Sequence, residues 1–161
     1  MSVSVVIPTL NHELSMRGMS IDDIMIAHSY ERVMPGDNYY NSIYNNFRVF
    51  SAINKISKHR IRNFFSKIIN IKRFPLTELN TITECEVAKI LENSYRAMNI
   101  SFMVEWSRFA EESEVNLYEV VNAIRLRPTH SNIMFPGIGV GGYCLTKDPL
   151  MASWSRQKLF N

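Results

Sequence analysis

Cysteine is scarce. Cys85 and Cys144 are the only two in 161 residues, too few and too unrelated in position for a disulfide framework or a metal-ligand pattern. His12, His28, His59 and His130 are isolated from one another as well, so no metal site is implied. No apolar run approaches the roughly 18 residues of a membrane span, and the N-terminus lacks the charged-then-apolar order of a signal peptide. The expectation is a cytoplasmic protein with no membrane partner. Charge is nearly balanced, with 18 basic against 15 acidic residues and a formal charge of +3. The basic residues are scattered apart from Lys55 to Arg62 and Lys67 to Arg73, which is too little for a nucleic-acid partner. What remains, 46% hydrophobic and 20% charged, is a soluble globular composition long enough to bury a core.

Glycine is also sparse, and four of the six glycines fall in one stretch, Pro136-Gly137-Ile138-Gly139-Val140-Gly141-Gly142-Tyr143-Cys144-Leu145-Thr146-Lys147-Asp148-Pro149. Glycine admits φ > 0 and lets a ligand approach the backbone, so the stretch reads as a cradle presenting Cys144. A thiol becomes an effective nucleophile in a positive field, which Lys147 or the N-terminus of a following helix supplies. On spacing alone, a Gly-rich surface turn with a buried cysteine fits equally well.

Along the chain, residues 1–10 combine β-branched residues with a Pro-Thr turn and read as a short buried strand. A second strand from Met25 delivers the chain to Tyr30-Glu31-Arg32-Val33-Met34-Pro35-Gly36. A carboxylate and a guanidinium at a strand end suit polar ligand recognition in an α/β sheet, although a surface Glu-Arg pair is the commoner meaning. Phe47 to Ile53 predicts a strand, Ile56 to Ile69 a helix and Ile71 to Phe74 a short edge strand, together one α/β unit.

Leu76 to Glu112 contains neither proline nor glycine, and Val87, Leu91, Tyr95, Met98, Phe102, Trp106 and Phe109 recur at helical spacing. The spacing predicts an amphipathic helix of up to about ten turns that needs something to pack against along its length. Lys89 and Asn93 share one face of it, with Leu91 roughly opposite; without further information such a pair is solvated surface. Val115 to Arg127 predicts another helix, ended by Pro128, after which Arg127, His130 and Asn132 lead into the glycine stretch. A last helix is expected over Leu150 to Leu159, begun by Asp148-Pro149.

The glycine stretch resembles the active-site signature of the UDP-glucose/GDP-mannose dehydrogenase family, in which Gly-Gly-x-Cys-x-x-Lys-Asp carries the catalytic thiol. The likeness runs from about Met25 to Ala152. It implies an α/β then mostly α fold: residues 1–75 as the incomplete tail of an NAD-binding Rossmann-like domain, and residues 76–161 as a central helical dimerisation domain built on the long helix. By the same resemblance, a Pro-Glu segment after a strand places a catalytic glutamate at Glu31. Pro35 replaces a second glutamate found in UDP-glucose enzymes, a departure similar to members that oxidise N-acetylated hexosamines. A lysine and an asparagine four apart on the family's long helix correspond to Lys89 and Asn93 in Glu86-Val87-Ala88-Lys89-Ile90-Leu91-Glu92-Asn93-Ser94-Tyr95-Arg96.

The chemistry implied is oxidation of the C6 alcohol of a nucleotide sugar to a carboxylate with NAD as cofactor. Cys144 captures the aldehyde as a thiohemiacetal whose oxidation gives a thioester that water cleaves. Lys89 stabilises the oxyanion or exchanges a proton with C6, Asn93 donates a hydrogen bond to the same oxygen, and Glu31 and Asp148 position water and take its proton. Lys147 contacts the cofactor. Arg32, Phe135, Pro136, Gly137, Ile138, Gly139, Val140 and Gly141 hold the sugar nucleotide, and Arg127 reaches a neighbouring subunit's substrate in a homodimer.

No Gly-x-Gly-x-x-Gly follows an N-terminal strand, so no dinucleotide cradle is recognisable, and the family's C-terminal nucleotide-sugar domain has no counterpart. The sequence therefore predicts a partial nucleotide-sugar 6-dehydrogenase, inactive alone. The alternative is a non-catalytic association module derived from such an enzyme. Residues 1–10 alone also resemble the opening strand of GT-A glycosyltransferases, but no acidic metal-binding pair follows a later strand; Asp22-Asp23 comes too early and reads as a helix start.

Overall fold

A computed structural model describes residues 12–34 and 36–160. The strand expected over residues 1–10 and the substitution at Pro35 lie outside the described residues. Contacts divide the chain into two units, Met1–Lys89 and Ile90–Asn161.

The first unit is α/β. Strands β1 (Ala27–His28), β2 (Val49–Ala52) and β3 (Thr77–Glu78) form a sheet in that order. β1 runs antiparallel to β2, with Ala27 opposite Ala52 and His28 opposite Ser51, and β3 runs parallel to β2, with Val49 opposite Thr77. Helix α1 (Tyr39–Tyr44) lies between β1 and β2 in sequence, and α2 (Lys55–Ile68) is the crossover that a parallel β2–β3 pair requires. Asn54 starts α2 by accepting the Ser57 backbone N–H at 2.8 Å. Ile61, Phe65 and Ile69, one turn apart, then pack on Phe50 of the central strand together with Leu76. Phe50 is fully buried, and its ring meets Phe65 edge-on at 6.0 Å between centroids. Phe65→Ala would cost about 3–5 kcal/mol here.

The edge strand expected at Ile71 to Phe74 is a turn. The Arg73 and Phe74 N–H groups both donate to Asn70 O, at 3.1 and 2.9 Å, so these donors are spent locally. The strand forms after Pro75 instead, where Thr77 N reaches Arg48 O and Leu79 N reaches Phe50 O, each at 2.9 Å.

Helix α3 (Ile82–Glu112) begins later than the absence of proline and glycine suggested. Thr81 and Glu84 form a capping box: Thr81 Oγ1 accepts from Glu84 N at 3.1 Å, and Glu84 Oε2 accepts from Thr81 N at 3.0 Å. Cys85, in the first turn, is fully buried and its thiol donates to His28 O and Val49 O, each at 3.8 Å, fastening the helix start to β1 and β2. Burial pushes the Cys85 thiol above its ordinary pKa, which keeps it a neutral donor.

The second unit is helical. At the end of α3, Val115 N bonds Ala110 O and Glu114 N bonds Glu111 O, a Schellman closure with Glu114 at φ 54°. Helix α4 (Leu117–Arg125), capped by Asn116, turns Leu117 and Val121 onto Met103 and Ala110 of α3, with Ile133 and Met134 packed against the cluster. It is shorter than Val115 to Arg127, because Leu126 and Arg127 already bond three residues back, Leu126 to Ala123 O and Arg127 to Ile124 O, and Pro128 opens a 3-10 turn over Pro128–His130. Helix α5 spans Tyr143–Phe160 and contains Pro149, so it starts seven residues before the expected Leu150. Gly142 at φ 82° ends the loop, and Thr146 N bonds Gly142 O, so the helix is under way before the proline.

The apolar residues that recur along α3 point outward. Val87, Leu91, Tyr95, Met98, Phe102, Trp106 and Phe109 are all exposed, between 45% for Trp106 and 65% for Leu91. Among the described residues no helix is long and apolar enough to cross a membrane, and no group of three or more His, Cys, Asp or Glu is placed to hold a metal.

Candidate active site

The chemistry-bearing residues of the first unit gather where β1 ends. Ser29 Oγ donates to Val49 O at 2.7 Å, holding the exit of β1 against β2. The carboxylate of Glu31 accepts from Val33 N, so it is turned onto its own backbone. Arg32 donates to the Tyr30 hydroxyl at 2.7 Å and to Phe47 O at 3.3 Å. Lys89, one turn beyond Cys85 on α3, donates to the backbone carbonyl of Glu31 at 3.0 Å and lies 5.7 Å from the centre of the Tyr30 ring. Arg48, buried at the start of β2, donates to Tyr30 O at 3.1 Å, while its Nε has no partner. Burial lowers the Arg48 pKa from its ordinary value, opposed by the nearby charge of Glu31.

In the second unit Asn93, on α3, donates from Nδ2 to Asp148 Oδ2 at 2.6 Å, and both side chains are buried. An ionised carboxylate only accepts, so Asp148 fixes which way the Asn93 amide faces. The other oxygen of Asp148 pairs with Lys147 Nζ at 3.1 Å, and the Asp148 carboxylate raises the Lys147 ammonium above its ordinary pKa. Asp148 is thus the joint between α3 and the first turns of α5.

Cys144 lies in the first turn of α5 and is exposed, unlike Cys85. This turn presents N–H groups free of intrahelical partners, a field that favours negative charge. Gly139 and Gly142 take φ of 118° and 82°, where an L side chain is strained, and a Cβ on Gly139 would reach Val104 of α3 at 3.9 Å. Gly137-Ile138-Gly139-Val140-Gly141-Gly142 fits the glycine spacing of a dinucleotide loop and opens a helix, but a 3-10 turn and irregular chain precede it in place of a strand. The entry to this loop is pinned by α4. Tyr118 stacks on Phe135 at 6.0 Å and its hydroxyl donates to Pro136 O at 3.1 Å. Arg125 donates to Ile133 O at 3.0 Å and lies 4.8 Å from the Phe135 ring centre. Arg127 is exposed, and its backbone rather than its side chain is engaged, at the start of the 3-10 turn.

The sequence reading missed Tyr30, Arg48, Tyr118 and Arg125. Tyr118 and Arg125 stand seven apart on a short amphipathic helix just before the glycine stretch, a spacing that puts both on one face. Tyr30 and Arg48 carried no local signal.

Residues 83–160 match the central domain of the UDP-glucose/GDP-mannose dehydrogenase family. The UDP-N-acetyl-D-mannosamine dehydrogenase of Pyrococcus horikoshii is 34% identical over 131 residues, covering 80% of this chain and 29% of the relative. The chain belongs to the UDP-glucose/GDP-mannose dehydrogenase family. Another relative, the NDP-N-acetyl-D-galactosaminuronic acid dehydrogenase of Ralstonia nicotianae, is 32% identical over 79% of this chain and 29% of its own length. The crystal structure of the enzyme of that name from Methanosarcina mazei superposes with a TM-score of 0.74 at 25% identity, over 89% of this chain and 30% of that one. The chain spans less than a third of the length of these dehydrogenases.

Proposed function

We propose that this chain carries the reaction centre of a nucleotide-sugar 6-dehydrogenase acting on a UDP-sugar. The observation that carries the reading is the buried Asn93–Asp148 hydrogen bond, which seats the start of α5 and leaves Cys144 exposed in its first turn. A solvated surface asparagine has no need of a buried carboxylate partner.

In this reading Cys144 adds to the C6 aldehyde, forming a carbon–sulfur bond as the carbonyl oxygen takes a proton. Loss of hydride from C6 and of the hydroxyl proton to water turns the resulting thiohemiacetal into a thioester, and a second water cleaves it to the carboxylate and returns the thiol. Lys89 and the second N–H of Asn93 stabilise the oxyanion. Asp148 holds Asn93 and Lys147, and Glu31, freed from Val33 N, positions water. Arg32 and the loop from Phe135 through Pro136, Gly137, Ile138, Gly139 and Val140 to Gly141 hold the nucleotide sugar, and Arg127 serves a neighbouring subunit. NAD+, when bound, accepts the hydrides. The residues here fit one contact to it, Lys147, and not its pyrophosphate cradle, since no glycine motif follows an N-terminal strand.

We assign residues 1–75 to the end of the NAD-binding domain and 76–161 to the central domain. The names of the relatives and the proline at position 35 favour an N-acetylated hexosamine as the sugar. Homodimerisation through α3 is supported by its exposed stripe. Val87, Met98 and Phe109 repeat at 11 residues, as do Leu91 and Phe102, and Tyr95 and Trp106; such a repeat winds a stripe slowly around the helix and suits a partner helix crossing with a slight right-handed supercoil. The same stripe favours the second reading, an association module without catalysis. The deciding experiment is NADH formation from UDP-sugars by the chain, alone and with the flanking domains of a relative supplied separately. Formation that is lost in Cys144→Ser establishes the dehydrogenase; a folded, dimeric chain inactive in every mixture leaves the association module.

A further inference from the structure

Three cations converge on Tyr30 and Glu31, just beyond the end of β1. Lys89 and Arg48 donate to the consecutive carbonyls of Glu31 and Tyr30, at 3.0 and 3.1 Å, and Arg32 donates to the Tyr30 hydroxyl at 2.7 Å. The same ring lies 5.0 Å from the Arg32 guanidinium carbon and 5.7 Å from the Lys89 ammonium. The nearest carboxylate in sequence, that of Glu31, accepts from Val33 N. Tyr30 itself is only 7% exposed.

We propose that Tyr30 is a positioning residue for Lys89, its ring face fixing the ammonium that the preceding section assigns to the oxyanion, and the proposal rests on that assignment. A lysine ammonium sits on a flexible four-carbon stem and carries three donors. The Glu31 carbonyl takes one donor and the electron-rich ring face attracts the charge, which leaves donor capacity on an ammonium whose location is set. The ring can do this only if it is itself immobile. Burial, the hydroxyl bond to Arg32 and the Arg48 bond to its own carbonyl supply that. Arg32 opposes the arrangement, because two like charges share one ring; the hydroxyl bond gives the guanidinium a fixed place, so the repulsion is constant rather than a source of competition for the Lys89 position.

The test uses the full chain. NMR resonances of the Lys89 Cε methylene, assigned by their loss in Lys89→Met, are displaced by the ring current from those of the exposed lysines. They move to the ordinary lysine range in Tyr30→Leu and stay displaced in Tyr30→Phe, which keeps the ring face. Lys89 resonances that coincide with the other lysines in the unsubstituted chain, or that do not move in Tyr30→Leu, overturn the proposal, and the first of these needs no substituted Tyr30 to fold. In the NADH-forming mixture Tyr30→Leu lowers kcat about tenfold with KM for the nucleotide sugar held within about twofold; a loss carried by KM alone overturns the positioning role. NADH formation that survives Lys89→Met refutes the assignment of Lys89 instead, and the resonances then decide separately whether Tyr30 holds the ammonium.

Discussion

Replacing Asp148 by alanine tests the joint on which the site reading depends. Asn93 and Asp148 are both buried and 2.6 Å apart. A hydrogen bond to a charged acceptor contributes about 1.5–3 kcal/mol, and a buried donor left without a partner costs about 1–3 kcal/mol. The Lys147 pair adds less, about 0–1 kcal/mol, since the Lys147 side chain is 43% exposed. Asp148→Ala should therefore destabilise the chain by about 2–4 kcal/mol, and Asp148→Asn, which keeps an accepting carbonyl, by about 1 kcal/mol. Lys147→Ala should fall within about 1 kcal/mol of the unsubstituted chain. Urea unfolding reads these as shifts in midpoint at constant slope. In a cycle with Asn93→Ala, the double variant should be less destabilised than the sum of the singles by about 1.5–3 kcal/mol. Additivity within about 0.5 kcal/mol would refute the claim that the two side chains form one unit.

The two thiols should separate cleanly: a thiol reagent should modify exposed Cys144 in the folded chain and reach Cys85 only on unfolding, which mass spectrometry of the labelled peptides checks. Glu78 is held below its ordinary pKa, first by the hydrogen bond from Arg62, with Lys58 adding to it. A depressed carboxylate pKa contributes stability above the unfolded value of 4.5 that disappears as pH falls through the folded value. Acid titration of stability should thus show a loss below that value, about 0.2–1 kcal/mol, that is missing in Glu78→Gln. Glu114 occupies the left-handed position of the α3 closure at φ 54°, where glycine is unstrained. Glu114→Gly should raise stability by about 0.5–1 kcal/mol, seen as an increase in Tm.

Part of the first unit could be read from local pattern: the run from Met25 and the stretch Phe47 to Ile53 each contain an observed strand, and α2 buries one periodic face. The misplaced edge strand shows the limit. Ile71 to Phe74 has strand-like composition, but Asn70 O captures two of its N–H groups, a competition that composition does not register. The start of α3 is legible in Thr81-Ile82-Thr83-Glu84, a capping box that marks the helix boundary six residues after Pro75. At α5 the proline misled in the other direction: Gly142 sets the start, and Pro149 is accommodated within the helix. The glycine stretch and its cysteine stood out because scarce residues were concentrated there. The parts of the site that act through long-range contacts did not stand out. Tyr30 meets Lys89 across 59 residues of sequence, and the Asn93–Asp148 bond spans 55, so only the folded chain brings these partners together.

In the proposed function Cys144 carries the covalent chemistry of nucleotide-sugar oxidation. The decisive comparison is NADH formation from UDP-N-acetylhexosamines by the unsubstituted chain and by Cys144→Ser, each mixed with the same flanking domains of a relative. Turnover in the first mixture and its loss in the second is the predicted result. Equal NADH formation by the serine variant, folded and present at the same concentration, would contradict the account.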